Sequence, residues 1–275
     1  MKSLNKKLNL IRYNCLEAIY NAKSGHPGGC LSCVDIIFQI FKNYMPKRKN
    51  LYKKVNRNYF VLSKGHAAPA LYSVVYHFNL ISKNDNLKLR KLNSITQGHT
   101  HLTKKNLWMG ANTGSLGQGL SFSIGYALGL KKIKSKKKVF SIIGDGESQE
   151  GQIWEAAMFA SHHKIDNLCV FLDYNKLQSD NQVKNIMNLE PLKKKWQSFN
   201  WFVYEINGHS AQDILKAFKI FEKNKGRPTI FIAHTVKGKG VSFMENHPFW
   251  HGSVKMTTEQ INKSKHELLN NKLRR

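Results

Sequence analysis

Residues 140–181 read FSIIGDGESQEGQIWEAAMFASHHKIDNLCVFLDYNKLQSDN, and they decide the fold. A first apolar run stops at Gly144-Asp145-Gly146, a helical pattern follows, and a second apolar run closes on Asp173-Tyr174-Asn175. Strand, helix, strand in that order predicts a βαβ unit with its two strands parallel. Parallel strands point the same way, so Asp145 and Asn175 emerge at one edge, where open α/β sheets bind ligands. The glycines let backbone approach a ligand, and the Gly146 N–H lies near a helix start, where anions are favoured. A carboxylate, an amide oxygen and phosphate oxygens make a hard-oxygen set suited to Mg2+ or Ca2+. A bare Gly-Asp-Gly would be an ordinary turn. With an Asn closing the next strand it reads as half a cage for a metal–diphosphate.

The same alternation runs outward from this unit. Strands are expected at 59–62, 139–143, 168–172, 201–205 and 229–234. Helices are expected at about 3–23, 31–43, 67–80, 115–132, 150–163, 211–224 and 257–272. Continuous apolar strands predict a sheet buried on both faces. The fold class is therefore α/β: three layers, α/β/α, around a mainly parallel sheet. One domain is expected over 1–275, with a helical tail at about 257–275.

A chain of 275 residues with 41% hydrophobic content is not disordered and can bury a large core. The weakly polar stretch 120–130 is too short to cross a bilayer, so no membrane role is expected. The N-terminus spaces Leu4, Leu8, Ile11, Cys15, Leu16 and Ile19 as an amphipathic helix, unlike a secretory signal. A cytoplasmic protein with reduced thiols is the default reading. Cys30 and Cys33 form a C-x-x-C without the second pair a zinc site needs; they read as packed helix residues, and Cys15 and Cys169 as core. The net charge of +27 is scattered, and only 7 of 44 basic residues are Arg, the residue suited to bidentate phosphate contacts. Abundant Lys, Asn and Ile point to A+T-rich codons, so no nucleic-acid partner is expected; an acidic partner subunit is a second use for the charge.

The segment GDGESQEGQIWEAAMFAS...LDYNKLQSDN closely resembles the diphosphate-binding domain of transketolase, a thiamine diphosphate enzyme. The resemblance covers nearly the whole chain: KSGHPGG (23–29), LSKGHAAPALY (62–72), QGHTH (97–101), NTGSLGQGLS (112–121) and WHGSV (250–254) are each similar to a family segment. It implies a thiamine diphosphate-binding fold. It implies metal ligation by Asp145, Asn175 and the Leu177 carbonyl, and a Gly146 N–H on the diphosphate. Backbone at Gly114 and Leu116 would meet the aminopyrimidine. His66 and His251 would line the diphosphate and the substrate's approach; His26 and His99 would touch the donor sugar's hydroxyls. A lone histidine is more often structural, but these four share glycine-containing loops, and imidazoles suit proton exchange near neutral pH. The other eight histidines read as structural or solvated. Glu150 would join an acidic network communicating with the cofactor, and Glu155 is left open. KGKG (237–240) lacks a P-loop frame and supports no nucleotide site.

The family's cofactor-activating glutamate and most of its sugar-phosphate arginines belong to a second, pyrimidine-binding domain. This chain's ESQEGQIWEA and PFWHG look more like transketolases split into two subunits. The resemblance thus implies an N-terminal subunit for ketol transfer in the pentose phosphate pathway, active only with a pyrimidine-domain partner, as two copies of each chain. The alternatives are a deoxyxylulose-phosphate synthase-like or 2-oxo-acid dehydrogenase α-like subunit, or a catalytically inactive remnant.

Overall fold

The computed structural model describes residues 2–45, 57–103, 106, 108–179, 181–252 and 254–270. Among them, β1 (Tyr59–Leu62), β2 (Val139–Gly144), β3 (Leu168–Tyr174), β4 (Phe202–Asn207) and β5 (Thr229–His234) form one sheet in the order β1-β2-β3-β5-β4. Every neighbouring pair is parallel. After β3 the chain skips one place to lay down β4, then returns to insert β5. All five carboxyl ends therefore share one edge.

The helices are α1 (Lys2–Ala22), α2 (Pro27–Tyr44), α3 (Ala68–His77), α4 (Lys83–Leu87), α5 (Gln118–Lys132), α6 (Gly151–His162), α7 (Val183–Ile186), α8 (Leu192–Ser198), α9 (Ala211–Lys223) and α10 (Thr258–Lys265). Side chains alternate across a strand, and the inner strands spend both faces on burial. Phe140, Ile142, Cys169, Phe171 and Phe231 enter one core with α1, α2, α3, α9 and α10. Val139, Ile143, Val170, Leu172 and Ile230 enter the other with α5, α6 and α8. The expected three layers are present.

Differences from expectation have local causes. α2 starts at Pro27 rather than 31, because proline pre-sets φ at the first helical position. α5 starts at Gln118 rather than 115, since Gly117 precedes it at φ +84, a left-handed conformation. β4 is an edge strand, and Glu205 and Asn207 are exposed, so it does not follow the two-faced burial expected of the sheet. The short helices α4, α7 and α8 lacked enough periodic positions to be anticipated. The last positions of the expected helix 257–272 and of the tail to 275 lie outside the described residues. All four cysteines are free and buried, Cys30 and Cys33 within α2. Among the described residues no helix is long and apolar enough to cross a membrane.

Candidate active site

The β2–α6–β3 unit sets the geometry. Gly144 is in register with Asp173, so Asp145 lies just past β2 and Asn175 just past β3, on the same edge. Both line one cavity of about 230 Å³ with Leu116, Gly146, Glu150, Leu177, His66 and His251. Asp145 is buried; its carboxylate accepts the N–H groups of Gly146, at 2.8 Å, and Lys176. The Gly146 N–H is thus turned onto its neighbour's carboxylate. The Asn175 side-chain oxygen accepts the Leu177 N–H at 3.1 Å. Burial, together with the nearby Asp173 charge, pushes the Asp145 carboxyl up to about 7. A carboxylate so raised is eased by a cation. Among the described residues no three His, Cys, Asp or Glu side chains could hold a metal ion. The hard-oxygen set here is one carboxylate, one amide oxygen and one carbonyl, which fits Mg2+ or Ca2+ if a diphosphate completes it.

The four singled-out histidines converge. His26, just before α2, has its ring centroid 5.3 Å from His66, 6.0 Å from His99 and 5.8 Å from His251. His66 and His251 are also 5.3 Å apart. His66 rides a single 3-10 turn, Gly65–Ala67, after β1, and His251 follows another, Pro248–Trp250. His26 Nδ1 is buried without a hydrogen-bond partner among the described residues, an orphan that a ligand atom would satisfy. Burial, then the Arg90 charge, holds His26 down to about 4; burial and Lys237 hold His251 to about 3. Burial also lowers His66, well below the usual imidazole value, and, with Arg90, His99. All four rings are neutral at pH 7, able to donate and accept. His99 lies outside the 230 Å³ cavity and lines the neighbouring cleft around Gln97–Thr103. Gly114 is outside the cavity too, packed on the His99 ring. Glu155 is exposed on α6.

Sequence reasoning missed the charged residues beneath these groups. Lys64, in the same SKGH run as His66, is buried and paired with the buried Asp173, and its ammonium donates to the Gly29 carbonyl at 3.1 Å. Burial works against the Lys64 charge, yet Asp173 outweighs it and raises the pKa above the usual lysine value. Burial would raise Asp173, but Lys64, with donors from Ser32 and Thr235, holds it down. The signal was an acid inside the apolar run LCVFLDY, since a buried charge needs a partner. Lys237, from the KGKG run set aside above, is 1% exposed and lines the cavity. Its ammonium donates to the Gln178 carbonyl and to His251 Nδ1, each at 2.9 Å. Burial and Lys64 lower it to about 8. Gly238 beside it has φ +79, and any Cβ there would lie 2.3 Å from the Met244 carbonyl, so the turn that presents Lys237 needs glycine.

Fold and crevice together define an α/β domain whose carboxyl edge holds a cavity lined by His66, His251, Lys64 and Lys237. His26 and His99 lie outside its lining, His26 close to both of those rings and His99 close to His26. Over residues 3–272 the sequence matches the family described as transketolase, thiamine diphosphate binding domain. It is 37% identical to one subunit of the apulose-4-phosphate transketolase of Phocaeicola vulgatus, over 94% of this chain and 90% of that protein. It is 36% identical to one subunit of the 6-deoxy-6-sulfo-D-fructose transketolase of a Clostridium species, covering 93% and 92%. The fold superposes on the crystal structure of Campylobacter jejuni transketolase with a TM-score of 0.89 at 31% identity, covering 98% of this chain and 43% of that one. The chain thus spans less than half of that enzyme. It belongs to the transketolase family, as the thiamine diphosphate-binding domain.

Proposed function

We infer that this chain is the N-terminal subunit of a split transketolase, holding Mg2+–thiamine diphosphate in the 230 Å³ cavity and acting with a pyrimidine-domain partner. The observation that carries this reading is the convergence of four neutral histidines beside Asp145, Asn175 and Lys237 on one sheet edge. Asp145, Asn175 and the Leu177 carbonyl would hold the metal, for which Ca2+ has the same donor preference. Lys237 and His66 would face the diphosphate, and its charge would draw the Gly146 N–H away from Asp145. Leu116 and Gly114 would meet the aminopyrimidine. The bound cofactor supplies the electron sink for breaking and making a carbon–carbon bond. The protein's share is position and proton handling. His26, with its orphan Nδ1, and His99 would hold donor-sugar hydroxyls; His251, fixed by Lys237, would move a proton near the cleaved bond.

The reaction is transfer of a two-carbon ketol unit from a ketose phosphate to an aldose phosphate, as in the pentose phosphate pathway. The two subunit relatives carry names for different sugars, apulose 4-phosphate and 6-deoxy-6-sulfo-D-fructose. A partner chain is supported by those subunit names and by a groove of about 650 Å³ along α5, lined by Tyr59, Phe122, Tyr126, Leu130 and Ile133. Phe122 and Ile133 are 49% and 57% exposed, more than a lone domain gains from. Two copies of each chain would place the cavity at an interface in the cytoplasm.

The test is complementation. The chain alone with thiamine diphosphate, Mg2+, xylulose 5-phosphate and ribose 5-phosphate should give no seven-carbon product. Adding a C-terminal transketolase subunit should restore it. Turnover by the lone chain would refute the split site, and carbon dioxide release from pyruvate would favour a 2-oxo-acid enzyme.

A further inference from the structure

Glu147 lies in the 3-10 turn Gly146–Gln149, two residues past Asp145, and is 3% exposed. One carboxylate oxygen accepts the Ser63 hydroxyl at 2.5 Å and the Gly117 N–H at 2.9 Å. The other accepts the Gly144 N–H at 2.9 Å. These three donors belong to three separate segments. Ser63 follows β1 and leads to Lys64 and His66; Gly144 ends β2 before Asp145; Gly117 closes the Gly114–Leu116 segment and starts α5. The fit between two of them is close: a Cβ at Gly119, in the first turn of α5, would lie 2.5 Å from the Ser63 hydroxyl oxygen.

We propose that Glu147 is a positioning residue whose carboxylate fixes the Gly114–Leu116 segment against the Asp145 edge, and so sets the distance between the two ends of the bound cofactor. It rests on the reading of this cavity as the thiamine diphosphate site. Glu147 lines the cavity, yet its two oxygens already hold three protein donors, and a carboxylate repels a diphosphate. It therefore acts through the segments it joins rather than by touching the ligand. The position needs an anion with acceptors at both ends and no donor. Glutamine would turn an NH2 group against the Gly144 or the Gly117 N–H, opening one joint. Aspartate keeps the charge but is one methylene short of spanning both.

The discriminating readout is a ratio, which simple loss of stability would not move. The full chain, alone and with its partner subunit, is titrated calorimetrically with thiamine diphosphate and with inorganic pyrophosphate, both with Mg2+. Pyrophosphate uses the Asp145 edge only; thiamine diphosphate also needs the Gly114–Leu116 segment. Glu147→Gln should weaken thiamine diphosphate by about tenfold more than pyrophosphate, the loss of one charge-assisted hydrogen bond. Glu147→Asp should shift the ratio the same way while keeping the charge, so the proposal stands or falls on it if the glutamine variant does not fold. An unchanged ratio in the variant that folds would overturn the positioning role. Failure of the unaltered chain to bind thiamine diphosphate in either setting would overturn the site reading itself, and this proposal with it.

Discussion

His26 shows how burial and crowding set a side chain's chemistry. Its ring is faced by His66, His99 and His251, and by the Arg90, Lys237 and Lys64 charges. Its folded-state value of about 4 lies below the ordinary 6.5. Between those values the unfolded chain binds a proton that the folded chain refuses. The stability this ring allows is fully present above about pH 6.5 and is lost as pH falls toward 4. Urea unfolding of the apo chain at pH 7, 6 and 5 should show that decline, and His26→Asn should make it shallower. An unchanged pH slope in the variant would show that the ring does not resist protonation. At this scale the sequence was half legible. The four histidines stood out because each sits in a glycine-containing loop, and the fold gathers them. Lys64 and Asp173 pair across 109 residues, and only the acid inside LCVFLDY hinted at it. Glu147 and Lys237 stayed hidden because Ser63 and Gly117, and Gln178 and His251, reach them from other segments. Of the residues that the sequence singles out, Gly146 donates to Asp145 and Glu150 is exposed at the cavity rim, so their expected contacts need the ligand or the partner.

At the scale of elements, α5 has two kinds of glycine. Gly119 packs on Ser63 with no room for a methyl group, whereas Gly125 and Gly129 have nothing within 4 Å of an added Cβ. Gly119→Ala should destabilise the chain by about 1–3 kcal/mol, the usual cost of overpacking. Gly125→Ala should stabilise it by about 0.5–1 kcal/mol through helix propensity. Thermal melts of the isolated chain check both signs, and a destabilising Gly125→Ala would mean that this helix face is already covered. The strands were legible because parallel sheets bury both faces and leave continuous apolar runs; β1, β2, β3 and β5 begin at the expected residues. β4 departs at one edge of the sheet, a place that local sequence does not encode, while β1 at the other edge stays mostly buried. Helix starts moved by a few residues where Pro27 and Gly117 dictate backbone angles.

For the whole molecule, the sheet supplies one rigid edge, and the loops after β1, β2, β3 and β5 bring their groups to it. That edge gathers two lysines and neutral imidazoles around three buried acids. Asp173 is paired with Lys64 and Glu147 is held by three protein donors, which leaves Asp145 for a divalent ion bridging to a polyanion. The exposed apolar face of α5 extends from the same region, since the Leu116 segment that lines the cavity leads directly into it. On the proposed reading the cofactor would sit next to the partner, and assembly is expected to complete the crevice.

The measurement that bears most directly on the site is a crystal structure of the chain, with its partner, grown with thiamine diphosphate and Mn2+ in place of Mg2+. Anomalous scattering should place one metal ion in contact with the Asp145 carboxylate, the Asn175 side-chain oxygen, the Leu177 carbonyl and the diphosphate, with Lys237 and His66 beside the phosphates. A metal ion bound away from Asp145 and Asn175, or a diphosphate seated in another crevice, would contradict it.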